Sequence, residues 1–270
     1  MLRQQNRLAT AGKARRGLTL MELIVVLVIL VALAGVVIPL LPNMLGRAHT
    51  SSGATNSSEV TRLVQTYEQL YQGYPNALDN LAGTSAVIDY LPGVAAGQIT
   101  VGSLQDTEAA ALVAAGITRL ADLYDTKANL TANGGTPTFN PYKGTFQAVA
   151  KGLSVTYLKE AAAEAPTGVV RDEPGNTGDV YVILGLGKQS TAIGKVMSDA
   201  PVHFSDDAAG TAANVYGRLG LVFRVARGNG TATPTPLDRA VFVGAVSFHD
   251  EGITTTDAHL AEYYSIAKGQ

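Results

Sequence analysis

The feature that most constrains this chain is a run of 19 uncharged residues, from Leu23 to Leu41, with the carboxylate of Glu22 directly before it. As a helix, the run would be about 29 Å long, enough to cross the hydrocarbon core of a bilayer. A carboxylate at membrane depth costs about 2.5–3.5 kcal/mol, less near the interface, and a plain membrane anchor has no use for one. Glu22 therefore needs an explanation of its own.

Five positive charges and no acidic residue precede the apolar run. This flank favours a cytoplasmic N-terminus and export of the rest of the chain. A secretory signal peptide does not fit, because its apolar region is about 7–15 residues long and its small-residue cleavage site follows that region. Here the small residue Gly17 comes before the run. The five basic residues are Arg3, Arg7, Lys13, Arg15 and Arg16.

Cleavage after Gly17 would explain the carboxylate. Leu18 would then carry a free α-amine, and Glu22 would lie near the first turn of the helix, where the helix dipole favours an anion by about 0.3–1 kcal/mol. In a side-by-side assembly, the amine of one subunit can meet Glu22 of another, and buried charges are tolerated when they are paired. We interpret Glu22 as the residue that sets the register of an assembly. The alternative is a simple signal anchor with Glu22 at the membrane interface.

The segment Arg16 to Leu23, RGLTLMEL, resembles the class III leader of type IV pilins and type II secretion pseudopilins. In that family, a membrane aspartic peptidase, the prepilin peptidase, cleaves after the glycine and methylates the new amine. The resemblance implies cleavage between Gly17 and Leu18, N-methylation of Leu18 and an assembly role for Glu22. It also implies that Pro39 loosens the apolar helix. The chain departs from the family in one respect, since Phe is commoner at the position of Leu18.

The resemblance and the hydrophobic pattern divide the chain into a cleaved leader (1–17), a transmembrane helix (18–41), a stalk helix (42–73) and a periplasmic globular head (74–270). Pro39 and Pro42 disrupt helices, and the Ser-, Thr-, Gly- and Asn-rich residues after them are poor helix formers. We therefore expect a bent or partly melted helix between about residues 39 and 58. The helical period then returns on a face that we expect to pack under the head. That face comprises Val60, Leu63, Val64, Tyr67, Leu70 and Tyr71.

The head combines helical and strand-like segments. Apolar, β-branched runs at 180–184, 219–225 and 240–248 predict strands. Residues 103–125 predict an Ala-rich helix broken near Gly116, residues 131–145 a loop, and residues 156–165 a helix. The predicted fold class is α+β and pilin-like: a long N-terminal transmembrane and stalk α-helix packed on a mostly antiparallel β-sheet head.

Charge and cysteine content narrow the function. Loss of the leader would remove 5 of the 20 basic residues and none of the 22 acidic ones, which leaves a net charge of −7 and no basic footprint for nucleic acid. The chain has no cysteine, so no disulfide can staple the head. Many pilins carry such a disulfide and major pseudopilins usually lack it, so this absence favours a pseudopilin.

The motifs of common enzymes are missing from the sequence. The segment 185–190 follows a strand like a phosphate loop, but Val182 stands at the place of the first Gly and Gln189 at the place of the Ser/Thr. A turn with a solvated Lys188 is the better interpretation. The four histidines show no i, i+4 zinc spacing, and we interpret them as solvated loop residues rather than ligands of a hydrolytic or transition-metal site. They are His49, His203, His249 and His259.

Two acidic loops offer oxygen ligands for Ca²⁺, one with Asp206 and Asp207 and the other with Asp250 and Glu251. Major pseudopilins bind calcium in a C-terminal loop, which is what the resemblance adds to this interpretation. No motif matches the family residue by residue at these positions. We expect no other cofactor.

The sequence thus predicts a non-enzymatic structural subunit of a pilin-like filament, a type II secretion pseudopilin. It would be a single-pass inner-membrane protein with its head in the periplasm or on a surface filament. Its partners would be the prepilin peptidase, other copies and related pseudopilins, the inner-membrane assembly platform and the membrane, but no nucleic acid.

Two alternatives remain. The first is a type IV pilin that serves adhesion, motility or DNA uptake. The second is a membrane-anchored periplasmic enzyme or binding protein that shares only the leader. This second alternative predicts a pocket with convergent polar groups and perturbed pKa values, and the filament subunit does not.

Overall fold

The computed structural model describes residues 19–38, 41–84, 86–92, 97–158, 178–204, 210–228, 233–249 and 252–268. The chain divides into two units, Met1–Leu45 and Gly46–Gln270. The first unit carries the apolar helix, and the second carries a β-sheet with its covering helices.

Helix α1, Leu20–Val37, is long and apolar enough to cross a membrane. None of its residues is buried within the chain, and its large side chains are exposed all around the helix, from Leu20 at 77% to Ile24 at 47%. A helix that is apolar on every side has no polar face for water. It therefore needs a lipid or protein environment outside its own chain.

Helix α2, Leu41–Tyr71, is helical throughout, so the expectation of a partly melted segment up to residue 58 is wrong for this structure. Packing explains the difference, because most helical stability in proteins comes from a packed face rather than from propensity. A stripe of small buried residues lies in the segment that we expected to melt, and it continues into larger ones. The buried residues are Thr50, Gly53, Ala54, Ser57, Val60, Val64 and Tyr67.

The second half of α2 packs on the head, as the pattern predicted. Val60, Val64 and Tyr67 belong to the main hydrophobic core, and the Tyr67 hydroxyl lies 3.0 Å from Thr191 Oγ1. The C-terminal end of the predicted face is exposed instead, with Leu70 at 66% and Tyr71 at 48%. The buried face therefore ends one turn earlier than the pattern indicated.

The second unit contains a mixed, mostly antiparallel sheet, which makes the fold class α+β. Its described strands are β1 (Leu78–Asp79), β2 (Ile99–Ser103), β3 (Arg119–Leu123), β4 (Tyr142–Ala148), β5 (Ser154–Leu158), β6 (Val180–Gly185), β7 (Gly220–Arg227), β8 (Thr235–His249) and β9 (Gly252–Thr254). Their order is β4-β3-β1-β6-β7-β8-β9, and β5 joins β2 to β6. β1 and β3 are parallel, and the other described pairs are antiparallel.

Both faces of the central strands are buried. In β6, Val182 and Leu184 face the core that α2 covers, while Tyr181 and Ile183 face a second core. This double burial explains why β6 is a continuous apolar run rather than an alternating one. The predicted strands at 180–184, 219–225 and 240–248 are all confirmed, as β6, β7 and β8.

Three shorter helices complete the unit: α3 (Asp106–Ala114), α4 (Lys127–Ala132) and α5 (Thr256–Lys268). The helix predicted over 103–125 is half wrong, because the chain turns at Gly116 (φ +96°) and continues as β3. The helix predicted from Thr156 is wrong over 156–158, which belong to β5. There the Thr156 hydroxyl donates to the carbonyl of Ile183. The rest of that prediction lies outside the described residues.

Candidate functional site

Glu22 lies in the first turn of α1 and forms a capping box with Thr19. The backbone N–H of Thr19 donates to Glu22 Oε2 at 2.8 Å, and the Thr19 hydroxyl donates to the same oxygen at 3.0 Å. In return, the N–H of Glu22 donates to Thr19 Oγ1 at 3.2 Å. Orphan N–H groups at the helix start are thereby satisfied. The spacing Thr-x-x-Glu was readable from the sequence, but we assigned no role to Thr19 there.

The capping box leaves part of the Glu22 carboxylate available. Both bonds from Thr19 go to Oε2, and no described residue donates to Oε1. A carboxylate has lone pairs for about four donors, so this one can accept a further cationic group without losing its cap. The other residues assigned to leader processing, Gly17 and Leu18, lie outside the described residues.

The two prolines assigned to helix loosening are placed differently. Pro39 lies outside the described residues. Pro42 is the second residue of α2. In the first turn of a helix, the missing N–H of a proline removes no intrahelical hydrogen bond.

The four histidines of the chain converge in the second unit, although they are far apart in sequence. His49 comes from α2, His203 from the segment before β7, His249 from the end of β8 and His259 from the first turns of α5. The ring centroids of His49 and His203 are stacked 4.6 Å apart. The centroids of His203, His249 and His259 lie 5.1–5.2 Å from one another. We call these four residues the histidine cluster.

The ring nitrogens of three members point toward a common centre. His203 Nε2 and His249 Nε2 are 3.2 Å apart, and one nitrogen from each of His203, His249 and His259 lies within 4.8 Å of the other two. The hydroxyl of Ser247 is 2.8 Å from His259 Nε2 and 3.3 Å from His249 Nε2. Imidazole nitrogens in this arrangement are the donor set that zinc, copper and nickel prefer.

Gly53 makes the space for these rings. A Cβ atom at this position would lie 2.7 Å from Cε1 of His259 and 2.8 Å from Cε1 of His203, closer than real Cβ contacts come. Only glycine therefore fits here without moving the two imidazoles. His49, one turn earlier on α2, contributes its ring to the same side of the cluster.

Burial keeps at least two of the rings neutral. It lowers the pKa of His203 to about 3, and the neighbouring His249, His49 and His259 lower it further. Burial also lowers the pKa of His259 to about 4, with His249 and His49 adding to the effect. Neutral imidazoles are the form that binds metals.

The sequence interpretation of the histidines as solvated loop residues is wrong for His203 and His259, which are 6% and 0% exposed. Local spacing carried no signal, because three loops and a helix bring the rings together. The calcium candidates Asp206, Asp207, Asp250 and Glu251 lie outside the described residues.

Lys188 matches its prediction: it is exposed, in a turn after β6. A second polar feature lies on the other side of the sheet, where a cleft of about 310 Å³ contains Asp122, Asp125 and Lys143. Lys143 Nζ lies 3.4 Å from Asp122 Oδ1 and 3.0 Å from Asp125 Oδ1, so the three charges are paired. This pairing gives no reactive group in the cleft.

Comparison with protein-family models, with curated proteins and with solved structures finds no match to this chain.

Proposed function

We propose that the chain is a structural subunit of a pilin-like filament, a type II secretion pseudopilin that is inserted in the inner membrane as a precursor. The prepilin peptidase removes residues 1–17, and the mature subunit begins at N-methyl-Leu18. Subunits then leave the bilayer with their apolar helices side by side, and their heads face outward from the filament. The absence of cysteine supports a pseudopilin over a type IV pilin.

The observation that carries the proposal is α1 itself. Its 18 residues are apolar all round and unburied within the chain, with one carboxylate at the first turn. Exposed apolar surface of this extent marks a membrane or protein contact. A bilayer satisfies the apolar residues before assembly, and the helices of neighbouring subunits satisfy them afterwards. Burial of this surface drives the assembly.

The carboxylate sets the axial position of each subunit. Glu22 is held at the start of α1 by Thr19, and its Oε1 atom is available to an amine from outside the chain. The methylated amine of Leu18 on a neighbouring subunit is the cation that leader cleavage supplies. One charge alone is costly in an apolar bundle, whereas the pair is tolerated, and this difference selects one register over the others.

Three substitutions test this role by separating charge from capping. Glu22→Gln removes the charge but keeps a side chain that completes a capping box. Glu22→Ala removes both. Glu59→Ala is the matched control, because it deletes an exposed glutamate of α2 that pairs with Arg62 across 2.5 Å. The readouts are leader cleavage by gel mobility and filament yield by electron microscopy, in cells that make the filament.

We expect all three variants to be cleaved, the Glu59→Ala variant to assemble normally, and both Glu22 variants to form no filaments. Normal assembly of the Glu22→Gln variant would reduce Glu22 to a capping residue and contradict the charge-pairing mechanism. Normal assembly of the Glu22→Ala variant would contradict the proposed function of the segment altogether.

A further inference from the structure

The histidine cluster lies in the second unit and plays no part in the assembly mechanism above. We propose that His203, His249 and His259 form a binding site for a divalent transition-metal cation of the Zn²⁺ class, and that this cation fastens the C-terminal helix α5 to the sheet. The assignment does not depend on the filament function.

The spacing of the nitrogens matches a coordination shell. Zinc binds histidine nitrogen at about 2.0–2.1 Å with tetrahedral geometry, which places two ligand nitrogens about 3.3–3.4 Å apart. His203 Nε2 and His249 Nε2 are 3.2 Å apart. The three ligand nitrogens lie within 4.8 Å of one another. Closing the site around one cation thus needs a movement of about 1.5 Å or less at the third nitrogen.

A cation also solves a shortage of protons at the centre of the cluster. Two neutral imidazole nitrogens at 3.2 Å need one proton or one cation between them. The Ser247 hydroxyl lies near His249 Nε2, His259 Nε2 and the carbonyl of Thr254, which is 3.2 Å away. Its single proton serves only one of these acceptors. One metal ion engages all three imidazoles at once.

The ligands are held in place by the backbone around them. The N–H of His203 donates to the carbonyl of Gly217 at 2.8 Å. His249 pairs with Gly252 in the β8–β9 ladder. The N–H of His259 donates to the carbonyl of Thr255 at 3.0 Å. A site prepared in this way loses little conformational entropy on binding.

The donor set selects the cation. Three imidazoles suit zinc, copper and nickel, whereas Ca²⁺ and Mg²⁺ take oxygen ligands. His203 and His259 are buried, which favours a role in stability. Since the three ligands come from three different elements, one ion would connect α5, β8 and the segment before β7.

The test uses the full, untagged chain in detergent, stripped with a chelator, and Zn²⁺ alone as the probe. The four members of the cluster are the only histidines in the chain, and it has no cysteine, so imidazole binding elsewhere cannot contribute. Competition with a chromophoric chelator measures stoichiometry and affinity. Thermal unfolding, followed by circular dichroism, measures stabilisation.

We expect one Zn²⁺ per chain and a Tm raised by about 5–10 °C when free Zn²⁺ is 100 times Kd. Ca²⁺ at the same concentration should leave Tm unchanged. His203→Gln, His249→Gln and His259→Gln should each weaken Zn²⁺ binding by more than about tenfold, the loss that even outer-shell changes cause. His49→Gln is the matched control, since His49 stacks on His203 outside the triad and its loss should leave binding within about threefold.

Three outcomes overturn the proposal. The first is the absence of Zn²⁺ binding by the folded wild-type chain, a result that does not depend on any variant. The second is unchanged affinity in the folded triad variants. The third is a loss in the His49→Gln variant as large as the losses in the triad variants, which would refute the assignment of the three ligands.

Discussion

The hydroxyl of Tyr216 donates a 2.6 Å hydrogen bond to the carboxyl group of Asp79, and both residues are buried. Asp79 ends β1 beside β6, and the Tyr142 hydroxyl lies 3.4 Å from the same oxygen. Burial raises the pKa of Asp79 from 3.8 to about 7, although Tyr216, Arg218 and Tyr142 each favour the ionised form. The folded chain therefore holds a proton that the unfolded chain releases.

This linkage predicts the pH dependence of stability. A carboxyl group with a raised folded-state pKa contributes stability below pH 3.8 that is lost as the pH rises through about 7. A difference of about three pKa units corresponds to roughly 4 kcal/mol. Asp79→Asn removes the titrating group and keeps the shape. We expect the variant to be more stable than wild type at pH 8, with its advantage shrinking or reversing at pH 5.

Chemical unfolding of the full chain in detergent at pH 5 and pH 8 measures the difference. Asp106→Asn is the control, because its exposed carboxylate pairs with Lys151 across 3.3 Å. Its effect should be small and similar at both pH values. A difference between Asp79→Asn and wild type that is the same at pH 5 and pH 8 would mean that Asp79 does not carry the proton.

Gly53→Ala should destabilise the second unit, against the usual trend. Alanine in a helix is normally better than glycine by about 0.5–1 kcal/mol. At Gly53, however, the added Cβ would meet the rings of His203 and His259 at 2.7–2.8 Å. Overpacking of this kind costs about 1–3 kcal/mol. We expect a lower Tm and weaker Zn²⁺ binding in the same preparation.

Gly46→Ala in the same helix is the comparison for this change. Its Cβ would meet only Ile266 Cδ1 at 3.4 Å, which is an ordinary contact. It should leave Zn²⁺ binding unchanged and keep or raise Tm. If both alanine variants stabilise the chain equally, the rings at Gly53 are not fixed as the structure places them.

Val64→Ala should loosen α2 from the head. Val64 is fully buried in the main core, and removing buried methyl groups costs transfer free energy plus a cavity term, about 2 kcal/mol in this case. Leu70→Ala, six residues along the same helix, changes a side chain that is 66% exposed and should cost less than about 0.5 kcal/mol. Denaturant midpoints of the two variants give the comparison. Equal losses would show that α2 does not pack on the sheet through Val64.

Hydrophobic pattern was sufficient for some elements and insufficient for others. The strands β6, β7 and β8 were predictable because their apolar runs are long and β-branched. β3 was not, since Arg119–Leu123 continues an Ala-rich helical pattern and only its pairing with β1 and β4 makes it a strand. The helical segment before residue 58 was missed for the same reason, because its small residues are stable as a helix only against the head.

The candidate sites divide in the same way. Glu22 and its place at the start of an apolar helix were readable from sequence, because all the relevant residues are neighbours. The histidine cluster was not, because His49, His203, His249 and His259 meet through the topology of the sheet and α5. Short-range spacing reports only sites whose ligands share one element.

The mass of the mature N-terminus tests the central claim most directly. The account rests on a free, methylated amine at Leu18 that pairs with Glu22 of a neighbouring subunit. Mass spectrometry of the protein purified from its native host should find a chain that begins at N-methyl-Leu18. A chain that still carries Met1 and the basic residues before Gly17 would contradict the account.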